Sequence, residues 1–111
     1  MSETEAVNAF KTMLSNFQST EKNKKRFEKW NKTLAVTFTD LDKTYLSNIT
    51  LGVPSEPELV NIDKADVWIR IDSTTWVGII NGNVSGMKAY TSGTLKIKGS
   101  MTDLLKLQKL M

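Results

Sequence analysis

The sequence predicts a single mixed α/β domain, of the α+β kind, with a largely antiparallel sheet. Three observations predict it. Apolar residues repeat with a helical period at both ends of the chain and with a period of two in the middle. Strand-like segments follow one another at hairpin distance and do not alternate one by one with helices, as parallel βαβ units would. At 111 residues the chain suits one core that buries roughly two thirds of its unfolded surface.

The elements follow in order. Ser2 and Glu5 have the spacing of a capping box, and Ala6, Phe10, Met13, Leu14 and Phe17 then recur at helical intervals. Ser19 or Thr20 caps a second, shorter helix whose buried side is Phe27 and Trp30, ending between Asn31 and Thr33. In TLAVTFTD the period changes: Leu34, Val36 and Phe38 alternate with Ala35, Thr37 and Thr39 as in a half-buried strand. Asp40-Leu41-Asp42 makes a hairpin tip, and KTYLSNIT returns antiparallel. Pro54 and Pro57 confine the next stretch to an edge or irregular strand around Leu59 to Ile62. ADVWIRID is a strand with Val67, Ile69 and Ile71 on one face and Trp68 and Arg70 on the other. TWVGIINGN, capped from Ser73 to Thr75, is a short helix apolar on nearly every side, so it is buried or lines something. Gly82 and Gly86 bracket a turn, MKAYTSG adds a further helical turn, and LKIKG is the last strand.

Composition excludes several functions. The chain has neither histidine nor cysteine, which removes Ser-His-Asp and Cys-His nucleophiles, histidine proton shuttles, disulfides and the usual zinc sites. Asp40 with Asp42 and Asp63 with Asp66 are the carboxylate pairs left for acid-base chemistry, and both stand beside turn signals where aspartate is common. The glycines at 78, 82 and 86 match neither the dinucleotide fingerprint nor the phosphate loop. Three glycosylation triplets, at Asn31, Asn48 and Asn83, carry weight only in a secreted chain. No apolar run approaches the ~20 residues of a membrane span, and the acidic start MSETEAVNAF lacks the basic and apolar parts of a secretory signal. The expectation is a cytoplasmic protein.

Net charge is +3, with Lys22, Lys24, Lys25, Arg26, Lys29 and Lys32 crowded into eleven positions. This cluster is either a solvated helix face or an anionic docking patch. Aromatic residues are not interleaved with it as in single-strand binders, and no nucleic-acid motif is present, so no nucleic-acid partner is expected.

The last segment carries the most information. Ser100 and Asp103 form another capping box, and stepping ~100° per residue places Met101, Leu104, Leu105 and Met111 in one apolar arc with Gln108 inside it. A buried amide without partners costs about 1–3 kcal/mol, so Gln108 is expected to bond a backbone carbonyl or to meet water or a polar ligand group. Met87, Met101 and Met111 are unbranched and repack around variable shapes.

SGTLKIKGSMTDLLKLQKL, residues 92–110, resembles the terminal strand-Gly-helix motif of the sterol carrier protein, type two family of lipid-binding domains. KADVWIRIDSTTWVGIINGNVSGMKAYTSG, residues 64–93, resembles the strand, short helix and Gly-bounded turn that precede it. The first half of the chain agrees in element order. The resemblance implies five strands in a largely antiparallel mixed sheet covered on one side by helices, with an internal hydrophobic tunnel, the whole of residues 1–111 forming one such domain. It implies a non-enzymatic carrier of fatty acyl chains, acyl-CoA or related apolar lipids, with no cofactor and no metal. By motif, Gln108 corresponds to the family's tunnel glutamine and Met101, Leu104 and Leu105 to the lining of the closing helix. Trp76, Ile79, Ile80 and Met87 fall where the other lining helices lie. The lipid is the expected partner, with a transient contact to anionic membrane surfaces through Lys22, Lys24, Lys25, Arg26 and Lys29. Lys109-Leu110-Met111 is not a peroxisomal Ser-Lys-Leu address, which points to a prokaryotic, free-standing domain. The alternative is an interaction module whose apolar last helix is covered by a partner chain or a second copy, and the oligomeric state stays open.

Overall fold

The structure, a computed structural model, describes residues 2–110. Helix α1 (Glu3–Ser15) starts at the predicted capping box, where Ser2 Oγ accepts the Glu5 N–H at 3.1 Å and donates to the Glu5 carboxylate at 3.0 Å. Ala6, Ala9, Phe10, Met13 and Leu14 form its buried side, and a 3-10 turn over Asn16–Gln18 adds Phe17. Helix α2 (Glu21–Phe27), capped by Thr20, stops short of Trp30. Trp30 is buried all the same, from the turn that follows, and its ring packs tilted against Phe17 and edge-on against Phe27.

Strands β1 (Lys32–Phe38) and β2 (Lys43–Thr50) form the expected hairpin, with Asp42 at positive φ in its tip. The chain then makes one strand more than predicted. Leu51 and Gly52 both take positive φ and fold β3 (Val53–Pro54) straight back onto β2. A Cβ at Gly52 would lie 2.5 Å from the Phe27 carbonyl oxygen, so only glycine makes this turn. Strand β4 (Glu58–Val60) also pairs with β2 and is shorter than the predicted Leu59 to Ile62 segment. Proline at the sheet edge needs no ladder N–H, which is why a two-residue strand ending in Pro54 is tolerated there.

Strand β5 (Val67–Ile71) runs parallel to β1, helices α3 (Ser73–Ile80) and α4 (Gly86–Thr91) follow, and β6 (Lys96–Lys98) pairs antiparallel with β5 before helix α5 (Met101–Gln108). The sheet order is β3-β2-β1-β5-β6 with β4 also on β2, so it is mixed and largely antiparallel with six strands where five were expected.

Register aligns the apolar rows. Leu34 with Val67, Val36 with Ile69, Phe38 with Ile71, and Ile69 with Ile97 are cross-strand partners on the helix-covered face. There α1 packs along α3, and Trp76 meets Phe10 and Phe38 at ring-centroid distances of 6.3 and 6.4 Å. On the opposite face Trp68 shields itself: its indole donates to Thr37 Oγ1 at 2.8 Å and the Arg70 guanidinium lies 4.6 Å from its ring centroid. The sheet therefore carries one core, on one side, and a polar-aromatic cover on the other. Among the described residues no helix is long and apolar enough to cross a membrane.

Candidate functional site

The candidate residues come from α3, α4 and α5, and each helix is fixed by short-range chemistry. Asp72 caps α3 by accepting the Thr75 N–H at 2.9 Å. Asp40, at the β1–β2 tip, accepts the Ser73 N–H at 2.8 Å and the Ser73 hydroxyl at 2.6 Å. These bonds, the hydroxyl's foremost, hold the Asp40 carboxyl below its ordinary pKa. One member of the Asp40–Asp42 pair thus positions a helix. Asp66 of the other pair accepts the Thr33 N–H at 2.9 Å and the Thr33 hydroxyl at 3.1 Å, joining the starts of β1 and β5.

From this base α3 buries Trp76 and Ile79 and half-buries Val77 and Ile80. Helix α4, capped by Ser85, buries only Ala89 and leaves Met87 and Tyr90 exposed.

Helix α5 departs from the predicted orientation. Its buried side is Asp103 and Leu107, spaced i and i+4, with Leu110 buried just past its end and Leu104 half-buried and packed against the core. Met101 and Leu105 are 67% and 57% exposed, and Gln108, on the same arc, is exposed as well. Gln108 therefore does not sit in the greasy interior that stepping around the helix assigned it. The predicted arc also contained Met111, which lies outside the described residues.

The buried side of α5 carries a charge as well as apolar residues. Asp103 is 5% exposed, and its carboxylate accepts the Trp30 indole N–H at 2.9 Å and pairs with Lys32 Nζ at 3.0 Å. Its own backbone N–H donates to the Ser100 cap at 3.2 Å. Burial by itself pushes the Asp103 carboxyl up, but the Trp30, Lys32 and Ser100 interactions outweigh it and hold the group below its ordinary value. At the other end of α5, Asn16 Nδ2 donates to the Leu110 carbonyl at 3.3 Å. Asp103 with these partners and the buried Leu107 and Leu110 lie on one side, and Met101 and Leu105 face outward.

The sequence reasoning missed these positioning residues. Asp103 was visible only as a capping-box partner, Lys32 only as part of the basic cluster, and Trp30 only as core. The signal that identifies them is the alignment of Asp103 with Leu107 and Leu110 on one helix side. The cluster itself is dispersed by the fold: Lys22, Lys24, Lys25 and Lys29 are exposed around α2, Arg26 is half-buried beside Asn23, and Lys32 is drawn away to Asp103.

Of the eight candidates, Trp76 and Ile79 are thus buried, Ile80 and Leu104 half-buried, and Met87, Met101, Leu105 and Gln108 exposed. Two open clefts lie elsewhere: one of about 230 Å³ between the end of α1 and Pro54–Pro57, spanned by the Lys11–Glu56 ion pair, and one of about 470 Å³ beside Trp68, Lys64 and Lys98. None of the eight lines either cleft. Among the described residues no group of three or more acidic side chains is arranged to hold a metal ion.

Comparison with known proteins agrees with this architecture. A crystal structure of sterol carrier protein 2 superposes with a TM-score of 0.66, at 19% identity over 98% of this chain and 92% of that one. The solution structure of palmitated SCP2L2 from Aedes aegypti gives 0.66, at 11% identity over 99% and 94%. In sequence, the hydroxysteroid dehydrogenase-like protein 2 of Bos taurus is 39% identical over 74 residues, 67% of this chain, and that match spans only 16% of the longer relative. Residues 10–111 match the SCP-2 sterol transfer family, and with a fold shared along almost the whole chain, the protein belongs to that family.

Proposed function

We propose that this domain binds and carries fatty acyl chains, acyl-CoA or related apolar lipids, without performing chemistry on them. The observation that carries the reading is the exposed apolar arc of α5, Met101 and Leu105 with Gln108 one turn further on, on the side of the helix away from the buried Asp103 and Leu107. Singly exposed apolar residues need no explanation, but Met101 and Leu105, in register on one helix, form a surface that gains free energy when covered. An acyl chain is a suitable cover: at about 0.8 kcal/mol per methylene, ~16 carbons offer on the order of 10 kcal/mol before ordering costs. The palmitated Aedes aegypti relative of the same fold supports this class of ligand.

In this reading Trp76, Ile79, Ile80 and Leu104 line a ligand tunnel from within, and Met87, Met101, Leu105 and Gln108 meet the ligand where it leaves the core. The exposed cations Lys22, Lys24, Lys25 and Lys29, with Arg26, supply a transient contact to anionic headgroups. The test is native mass spectrometry of protein prepared without detergent, together with tryptophan quenching on titration with palmitate. Co-purified lipid or saturable quenching is expected, and the reading fails if no lipid class binds saturably. The same exposed arc favours one rival, an interaction module covered by a second copy of the chain. Light scattering separates the two, because a concentration-dependent dimer that excludes palmitate supports the rival.

A further inference from the structure

We propose that Trp76 is the polar recognition point of the ligand site, its indole N–H donating to an acceptor oxygen of the lipid. The domain then prefers apolar ligands bearing a carboxylate, carbonyl or hydroxyl over bare hydrocarbon chains. This rests on the lipid-binding reading above and deepens it.

The three tryptophans of this chain carry the argument. Trp30 donates to Asp103 at 2.9 Å and Trp68 donates to Thr37 at 2.8 Å. Trp76 is fully buried, and its Nε1 is, among the described residues, the one buried side-chain nitrogen or oxygen with no hydrogen-bond partner in the protein. The rings beside it, Phe10 at an interplanar angle of 76° and Phe38 at 55°, offer π faces, which are second-order acceptors. A phenylalanine at position 76 would fill an apolar site on α3 without leaving a donor unsatisfied. The indole sits one turn from Ile79 on the buried side of α3, the side assigned to the tunnel lining. Gln108, the polar residue that the sequence singles out, is exposed, so nothing forces its amide to seek a ligand. An oxygen carried in on an apolar chain meets the requirement at Trp76: it enters an oily environment and satisfies the one donor there that the fold does not.

The experiment uses the intact protein labelled with ¹⁵N-tryptophan, whose three indole N–H signals are resolved by NMR. Trp30→Phe and Trp68→Phe assign the two partnered indoles and leave the third to Trp76. Palmitate and hexadecane, equal in carbon number, are added separately, with uptake of each verified by native mass spectrometry. Palmitate is expected to move the Trp76 indole proton downfield, hexadecane is not, and the Trp30 and Trp68 signals serve as internal controls. Trp76→Phe is expected to weaken palmitate by roughly tenfold and hexadecane by much less. Palmitate uptake with no selective shift at Trp76, or equal shifts with both ligands, overturns the inference and leaves the lipid-binding reading standing. Uptake of neither ligand overturns the lipid-binding reading itself, and the inference falls with it.

Discussion

The indole nitrogen of Trp30 lies 2.9 Å from Oδ1 of Asp103, a hydrogen bond between residues 73 positions apart, while Lys32 Nζ holds Oδ2 of the same carboxylate at 3.0 Å. Through this junction the turn after α2, the first residue of β1 and the first turn of α5 meet at one buried acid. The junction lies on the side that α5 turns inward, away from Met101 and Leu105, which remain available to a ligand.

Asp103→Asn is expected to destabilise the domain by about 1–2 kcal/mol in urea denaturation at neutral pH, since a charge-assisted bond is lost. In that variant Lys32 keeps a route to solvent, its side chain being 36% exposed, whereas Lys32→Ala leaves the buried Asp103 carboxylate without its counter-ion and is expected to have the larger effect. Because the folded Asp103 carboxyl titrates below its unfolded value of 3.8, its stabilisation is fully present above that pH and is lost as pH falls through the lower, folded value. Wild type should therefore lose its advantage over Asp103→Asn in acid, and equal differences at pH 7 and pH 3 would contradict the assignment.

Gln108→Leu is expected to leave stability within about 0.5 kcal/mol of wild type, as for other exposed positions. Lipid headgroup preference, measured by competition between fatty acid and fatty alcohol, is expected to stay unchanged, because the exposed amide is not driven to a ligand. A loss of several kcal/mol in denaturation would show that the amide is structural.

Met101→Glu combined with Leu105→Glu places two charges on the exposed arc of α5 while the buried residues Asp103, Leu107 and Leu110 stay intact. The expected result is a folded protein with unchanged circular dichroism and acyl-chain affinity reduced at least tenfold, because each carboxylate must be desolvated when a chain covers it. Unchanged palmitate affinity would remove this arc from the site.

Tyr45 donates its hydroxyl to Glu3 at the start of α1, and that bond, reinforced by burial and by the Glu3 charge, pushes the phenol up to about 12. The folded pKa is raised above the ordinary 10.0, so the stabilisation is complete below pH 10 and is lost as pH rises toward 12. Tyr45→Phe is expected to flatten the alkaline limb of a melting-temperature profile, and an unchanged limb would assign it to other groups.

Gly52→Ala is expected to cost more than about 2 kcal/mol, since the residue has positive φ and an added Cβ would meet a backbone oxygen at 2.5 Å. Thermal unfolding measures this, and a shift of less than a degree would mean that the turn relaxes easily.

Much of the fold is legible in the residues because it is written in short periods. The alternation of Leu34, Val36 and Phe38, the capping boxes at Ser2 and Ser100, and the apolar α3 segment each rest on neighbours within a few positions, where sterics and local hydrogen bonds decide. The Val53–Pro54 strand was not legible. Its pairing depends on a turn through Leu51 and Gly52 that is held by hydrogen bonds to Trp30, Asn31 and Gln18, all far off in sequence. Trp30 likewise joins the core from outside the helix its spacing suggested, held by aromatic neighbours and by Asp103.

The sequence by itself determined that this chain has two classes of local order, one core's worth of apolar residues, no histidine or cysteine chemistry, and a capped terminal helix of the sterol-carrier kind. Only the tertiary structure decided how that helix is rotated. The apolar side chains of α5 spread over more than one side, Met101 and Leu105 on one and Leu107 on another, so periodicity leaves its orientation open by a fraction of a turn. The side turned inward carries Leu107 and a buried carboxylate, Asp103, whose partners Trp30 and Lys32 lie some seventy positions earlier in the chain. The same docking leaves Gln108 in the open, and the packing of α3 against α1 and the sheet leaves the indole N–H of Trp76 without a protein acceptor.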